Sequence, residues 1–334
     1  MLNIAVIGAG ANAEAVHMKS LAQMPDVCIK AVCDIDMDKA QAFAKRWDIP
    51  SVYESYMTLL KEQPLDAAII LVWPDQIYRI TVDCLAKGLH CFIEKPAGIT
   101  LFQATQIELA AKKHKRLVQV GLNRRSIPLV QRVVEIMKET TPIHQIEGTF
   151  LKNADASFYN GCADAFEVDT IHAADIISWL ADSPPEKAAM VTAKYNSDIT
   201  NAWNALIRFE NGITGILKAN YQTGGRVHLF EIHGPKASAY INLGFGDDSC
   251  DATILFSGDK GSFSYSSQGL GDTSRMLLDG REVAGSDELH ICYGFYSEMR
   301  NFVDGINQKA SLICPIGDAV KTMYLLDYLR KAAI

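Results

Sequence analysis

Along the first third of the chain, short apolar runs alternate with segments whose apolar residues recur at three- and four-residue spacing. The runs are NIAVIG, CIKAVCD, DAAIILV, HCFIE and RLVQVG, and between them lie AEAVHMKSLAQM, MDKAQAFAKRW, QIYRITVDCLAKG and LFQATQIELAAKKH. Strands covered by helices on both faces are nearly all apolar, so this rhythm predicts βαβ units in a parallel, doubly wound sheet over residues 1–121. After Gly121 the texture changes. PLVQRVVEIMKE predicts an amphipathic helix and HQIEGTFL a strand; a loop rich in small and acidic residues follows, then a helix over VDTIHAADIISWL. AAMVTAKY, WNALIRFE, ITGILKANY, VHLFEIHG and SAYINL then alternate apolar and polar positions, with turns such as ENGI between them. That pattern predicts a largely antiparallel sheet with one polar face. Two helices, YSEMRNFVDGINQ and GDAVKTMYLLDYLRKA, close the chain. The expected class is α/β: a Rossmann-type domain over 1–121, then an α+β domain over 122–334 whose last helix can pack back on the first.

Composition narrows the classes. Of 334 residues, 49% are hydrophobic and 21% charged, close to globular averages, so a folded protein of about two domains is expected. A net charge of −7 and the absence of a basic stripe interleaved with aromatics argue against nucleic acid as a partner. The eight cysteines show no C-x-x-C spacing, which suits a reducing compartment. MLNIAVIGAG lacks a basic leader region, and its apolar run is far shorter than the roughly 20 residues of a membrane span. The reading is a cytoplasmic protein without a membrane partner.

Chemistry concentrates at the strand ends. In VIGAGANA, Gly8 and Gly10 follow the first strand and Ala13 takes the third position of G-x-G-x-x-G/A as a helix opens. Gly8 permits the tight turn, Gly10 lets backbone approach a pyrophosphate, and Ala13 lets helix and strand pack closely; Ala11 and Asn12 lie within the same turn. Such a motif alone also fits a plain strand-to-helix turn. Asp34, ending the second strand, can accept both ribose hydroxyls of an adenosine and would repel a 2′-phosphate, so NAD is expected rather than NADP. Asp36 and Asp38 read better as helix-start residues. HCFIEKPAG, taken as the fifth strand, places Glu94 and Lys95 at its carboxyl end, where ligands of open α/β sheets bind. There a lysine can stabilise developing negative charge on an alcohol oxygen, although spacing alone equally allows a surface ion pair that closes a strand.

GAGANA, EKP, GLNRR and IHAADIISWL, in this order over about residues 1–330, resemble the Gfo/Idh/MocA oxidoreductase family. The resemblance implies a Rossmann domain followed by an open-faced mixed sheet, association through that sheet as dimers or tetramers, and hydride transfer between nicotinamide and a secondary alcohol of a sugar or polyol. It makes Lys95 the catalytic lysine, His172 the acid/base and Asp175 the aspartate of the H-x-x-D pattern after it. An imidazole can take the hydroxyl proton while lysine polarises the same oxygen; without the family, His172 reads as a helix-start histidine. Where the family often has an aspartate four residues before the histidine, this chain has Val168, with Asp169 three before. On a helical turn the two spacings share a face, which leaves Asp169 able to orient His172. VWPDQIYR departs from a frequent T-P-N-x-x-H, so Trp73 is assigned to the cofactor side of the cleft, with Glu94 and Lys95. Asn123, Arg124 and Tyr159 join Lys95, Asp169 and His172 as candidate substrate contacts. The substrate-choosing region is expected over about 152–167 and 221–226, where Asp155, Asp164 and Arg226 can also bind hydroxyls. No metal is expected, because no third ligand accompanies His172 and Asp175 at suitable spacing. Two other activities remain open on the same scaffold: an NAD-dependent glycosidase acting by transient oxidation, and an NAD-binding regulator without turnover.

Overall fold

The computed structural model of the chain describes residues 1–245, 249–257 and 273–334. They divide into two compact units, one of residues 1–127 and 288–323, the other of 128–287 and 324–334.

In the first unit, strands β1 (Leu2–Ile7), β2 (Val27–Cys33), β3 (Ser51–Tyr53), β4 (Ala67–Ile70), β5 (His90–Ile93) and β6 (Val118–Val120) form one parallel sheet. Its order is β3-β2-β1-β4-β5-β6, with the reversal between β1 and β4 that opens a crevice in doubly wound sheets. Crossovers run through a π-helical turn (Ala13–His17) that continues into α1 (Met18–Leu21), then α2 (Met37–Trp47), α3 (Tyr56–Glu62), α4 (Pro74–Ala86) and α5 (Leu101–His114). Side-chain oxygens start two of these helices: Asp36 accepts from Lys39 N at 3.1 Å and Thr100 from Gln103 N at 3.2 Å. Asp36 is therefore a cap, as its spacing suggested. Strand β3 and helix α3 are too short to have marked themselves in the apolar pattern. The core gathers Ile4, Val6, Val32, Ile69 and Phe92 from the sheet with Met299, Phe302 and Val303 from near the end of the chain.

The second unit begins with α6 (Pro128–Thr140) and β7 (Gln145–Asn153). A two-stranded ribbon of β8 (Ser157–Phe158) and β9 (Ala163–Asp164) follows, then α7 (Ala165–Val168) and α8 (Ile171–Ala181). Next come β10 (Pro185–Ala193), β11 (Ala202–Phe209), β12 (Thr214–Asn220), β13 (Gln222–His233), β14 (Ala237–Phe245), β15 (Asp251–Ser257), β16 (Thr273–Asp279) and α9 (Gly280–Ala284). These strands and β7 make an eight-stranded sheet in the order β10-β11-β12-β7-β13-β14-β15-β16, in which only β12 and β7 run parallel. The chain then returns to the first unit with α10 (Leu289–Cys292) and α11 (Phe295–Ile306), and α12 (Ile316–Lys331) contributes residues to both units.

One face of the large sheet is covered by helices, and glycines set how closely. A Cβ on Gly148 of β7 would lie 3.0 Å from the Ala173 Cβ of α8, and one on Gly215 of β12 would lie 2.9 Å from Ile177 Cγ2. Helix α8 is therefore seated almost on the backbone, and nearly all its residues are buried. The other face is not polar throughout, as the alternation suggested. A row of paired residues crosses it, running Ala189, Leu206, Ile216, Glu147, Glu231, Tyr240, Thr253 and Leu277. Leu206 and Leu277 stay 59% and 62% exposed there.

A branched side chain at Gly148 must push α8 off the sheet. Gly148→Val is expected to cost about 1–3 kcal/mol in urea unfolding, the usual penalty for overpacking a closed core; an unchanged midpoint would show that the seat is loose.

Candidate functional site

One group of candidate residues lines the cleft at the carboxyl ends of β1, β2 and β4. Gly8, Gly10, Asp34, Asp36, Lys39 and Trp73 are among the residues lining a volume of about 760 Å³. Gly8 has φ +103°, and a Cβ on it would fall 2.4 Å from the Leu71 carbonyl oxygen, so only glycine fits. Above Gly10 a Cβ would meet nothing within 4 Å, which leaves the backbone open to an approaching group. The Asp34 carboxylate is fixed by two backbone amides, accepting from Ala9 N at 2.8 Å and from Asp36 N at 3.0 Å. Each oxygen keeps a further lone pair for a hydroxyl. Lys39 stands beside Asp36 at 3.7 Å. Burial, with the charge of Asp34, pushes the Cys33 thiol up to about 12, so it stays protonated. Trp73 precedes Pro74 at the start of α4 and is 51% exposed.

Glu94 and Lys95 leave the carboxyl end of β5, with a cis bond between Lys95 and Pro96. The Glu94 side chain, 13% exposed, turns inward. Its Oε1 accepts from His17 Nε2 at 2.7 Å and from Asn12 Nδ2 at 3.1 Å, and its Oε2 accepts from the Lys95 amide at 3.2 Å. Burial alone would raise its pKa, but the His17 hydrogen bond, the His17 charge and Lys95 together hold it below the ordinary carboxylate range. Asn12 thus reaches the side chain that follows β5, and Ala11 is exposed in the same turn. After β6, a 3-10 turn carries Asn123 and Arg124. Asn123 Nδ2 donates to the Tyr293 carbonyl at 2.9 Å, and the Arg124 guanidinium lies over the Tyr293 ring at 5.8 Å.

A second group of candidate residues lies in the other unit. His172 is buried near the start of α8 and Asp175 lies fully buried one turn on. Val168 is buried too, so the carboxylate before the helix is that of Asp169, whose carbonyl accepts from the His172 amide at 3.2 Å. The Asp169 carboxylate faces Lys152 Nζ at 2.5 Å and accepts from the Tyr221 hydroxyl at 2.6 Å. Thr170 Oγ1 lies 3.2 Å from the same hydroxyl, and Lys152 sits over the Tyr221 ring. Burial first, then the charge and hydrogen bond of Asp169, raise the Tyr221 pKa well above that of a free phenol, so it remains a donor. Lys152 and Tyr221 bound the regions expected to choose substrate, but nothing in their local pattern marked them as partners of Asp169. Tyr159 sits in a turn where Tyr159, Asn160 and Gly161 all have positive φ, between 52° and 83°. Asp164 is taken up structurally: it caps α7 by accepting from Phe166 N at 2.8 Å and pairs with Arg330 Nη2 at 2.8 Å. Arg226 Nη1 donates to the Leu243 carbonyl at 3.2 Å.

Among the described residues, one trio of metal-ligating side chains comes together: Glu147, Glu231 and His233, with ligand atoms within 4.8 Å of one another. It lies on adjacent strands, where Lys218 Nζ already pairs with Glu147 at 3.2 Å. Among the same residues, no helix is long and apolar enough to cross a membrane.

A glycine turn, a fixed acidic residue ending β2 and a lysine ending β5 on a 3-2-1-4-5-6 sheet define an oxidoreductase with an NAD(P)-binding Rossmann domain. The chain belongs to the Gfo/Idh/MocA family: residues 2–122 match the family's NAD-binding Rossmann fold and residues 168–240 match its C-terminal domain. It is 26% identical over 247 residues to the uncharacterized oxidoreductase YrbE of Bacillus subtilis, covering 70% of this chain and 72% of that one. It is 22% identical over 282 residues to inositol 2-dehydrogenase of Salmonella typhimurium, covering 81% and 80%. A levoglucosan dehydrogenase in complex with NADH shares the fold at a TM-score of 0.85 and 20% identity, covering 99% of this chain and 96% of that one.

The clasp at Arg330 sets a pH dependence. Burial, then the hydrogen bond and charge of Asp164, raise Glu167 from 4.5 to about 8 against the opposing charge of Arg330. The native state thus favours protonated Glu167, a stabilisation complete below about 4.5 and lost as pH rises through about 8. The melting temperature should fall as pH rises from about 5 to about 8, and Glu167→Gln should flatten that fall.

Proposed function

We propose that the protein is an NAD-dependent dehydrogenase acting on a secondary alcohol of a sugar, sugar derivative or polyol. The observation that carries this reading is the strand-end arrangement of the Rossmann unit: Lys95 leaves β5 in the same sheet whose β1, β2 and β4 ends build the cleft around Gly10 and Asp34. The cleft suits a dinucleotide, because Gly10 is open to a pyrophosphate and Asp34 is preset to accept ribose hydroxyls. It suits NAD better than NADP, since the cation lining it, Lys39, already faces Asp36, and Glu54 adds further negative charge. Bound NAD would supply the hydride acceptor.

The chain's own residues handle the proton and the oxygen. Lys95 Nζ donates to the substrate hydroxyl oxygen and stabilises the negative charge that grows there as the C–H bond breaks. His172 takes the hydroxyl proton and returns it in the reverse direction. Lys152 and Tyr221 keep the Asp169 side chain fixed at the turn that precedes His172. The names of the relatives support this substrate class, as inositol 2-dehydrogenase and levoglucosan dehydrogenase both denote enzymes of polyol or sugar-derived alcohols. Assembly belongs to the same reading: a second copy covers the sheet face bearing Leu206, Tyr240 and Leu277, since exposed apolar rows of this kind mark interaction surfaces.

A panel of inositols, sugars and sugar acids with NAD should yield reduced nicotinamide by absorbance, with NADP a poorer partner. Lys95→Met should lower kcat by about 10²–10⁴ while the protein still binds NAD. A panel silent for NADH but releasing an aglycone would favour the glycosidase reading. For assembly, Leu206→Asp is expected to reduce the mass seen in sedimentation to that of one chain; an unaltered oligomer would place the interface elsewhere.

A further inference from the structure

Beneath the EKP turn, a cluster of polar groups is buried that the proposed chemistry does not use. His17 is fully buried, its ring edge-on to Phe92 at 5.5 Å and to Phe295 at 5.8 Å. Two aromatic walls leave the ring one polar neighbour, Glu94 at 2.7 Å, and its Nδ1 has no hydrogen-bond partner. Nε2 therefore carries a proton that points at the carboxylate. Behind the pair lies Glu298 of α11, 2% exposed, with Oε1 buried and unpartnered. Burial first, then the charge of Glu94, raise its pKa well above the ordinary value against the pull of Arg124, so its protonated form is favoured. The titratable and charged groups around Glu94 are thus His17 from the π-helical turn, Lys95 beside it, and Glu298 from α11, with Arg124 beyond.

Burying a carboxylate is costly unless it is hydrogen-bonded, and here the bonds come from segments with separate duties. Asn12 and His17 belong to the glycine turn and the helical segment that follows it, while the other carboxylate oxygen holds the backbone amide of Lys95. We propose that His17, together with Asn12, is a positioning residue: by holding Glu94 it fixes the backbone that carries Lys95 and links the glycine turn of the cofactor cleft to the catalytic lysine. The placing of Lys95 rests on the dehydrogenase reading; the His17–Glu94 contact does not. The π-helical turn at Ala13–His17 fits this role, since single π-turns within helices are frequent at functional sites.

His17→Leu and His17→Gln separate the outcomes, because a glutamine amide can reach where Nε2 donates and leucine cannot. Carbon-detected NMR of glutamate-labelled full-length protein without cofactor should show the Glu94 carboxyl titrating at higher pH in His17→Leu than in wild type, and closer to wild type in His17→Gln, which keeps the hydrogen bond but not the charge. In turnover, His17→Leu should lower kcat about tenfold to a hundredfold with KM for the alcohol little changed. The acid limb of its pH–rate profile should move to higher pH, and His17→Gln should restore both. A Glu94 titration indifferent to His17→Leu would overturn the proposal, as would equal kcat losses in both variants with no movement of the acid limb. If His17→Leu does not fold, Asn12→Ala is read by the same titration, and a wild-type Glu94 titration in that variant overturns the link. A wild-type protein that oxidises no alcohol would defeat the dehydrogenase reading, while the titration still decides the His17–Glu94 contact.

Discussion

The first strand can end where it does because Gly8 has no side chain. Its α-carbon lies against the Leu71 carbonyl, its amide donates to Cys33 O at 2.8 Å, and the Leu71 amide donates to Ile7 O at 2.7 Å. The ends of β1, β2 and β4 are thereby knitted at one level. Continuing across the sheet, Glu94 N donates to Ile70 O at 3.0 Å and Gly121 N to Ile93 O at 2.8 Å, which extends that level to β5 and β6. Asp34, Trp73, Glu94 and Asn123 are the residues the chain presents as it leaves these strands. Were the Gly8 turn wider, each of them would be displaced along its strand.

The second unit uses a comparable device with a different geometry. Helix α8 is apolar on almost every side, so it can only be stable when enclosed. Gly148 and Gly215 bring it down to the backbone of β7 and β12, which fixes the depth of His172 in the helix's first turn. The polar residues that precede it are then tied from the flanking strands. Asp169 is held from β7 by Lys152 and by Tyr221 at the β12–β13 corner, and Asp164 and Glu167 are clasped by Arg330 of α12. Close packing beneath and polar contacts above hold His172 and the turn before it in place.

Much of this was legible in the sequence because the signals are local. Apolar runs bounded by glycine and acidic residues gave the Rossmann sheet, and the turn Gly8–Ala13 and the strand-end pair Glu94–Lys95 needed only position along the chain. The short elements β3, α3 and the β8–β9 ribbon were not legible, because three-residue strands carry no periodicity to read. Long-range pairings were hidden for another reason: His17 and Glu94 are 77 residues apart, and Asp169 and Tyr221 are 52 apart. A lone histidine within an apolar helical stretch gives no sign of whether its partner is a carboxylate or another ring. The polar face expected of the second sheet proved mixed, since alternation marks which residues avoid the helices but not what they meet on the other side.

Met299, Phe302 and Val303 complete the core of a unit whose first stretch ended at residue 127, and Arg300 anchors them with a two-pronged pair to Asp26 at 2.7 and 2.8 Å. During synthesis the Rossmann strands emerge first, yet the apolar face that α11 covers stays open until residues 128–287 of the second unit have been made. At about 5–20 residues per second, that interval is roughly ten to thirty-five seconds. The nascent sheet must remain soluble through it with an unfilled core, so the order of translation places on this chain a demand for chaperone protection that a contiguous dinucleotide domain would escape.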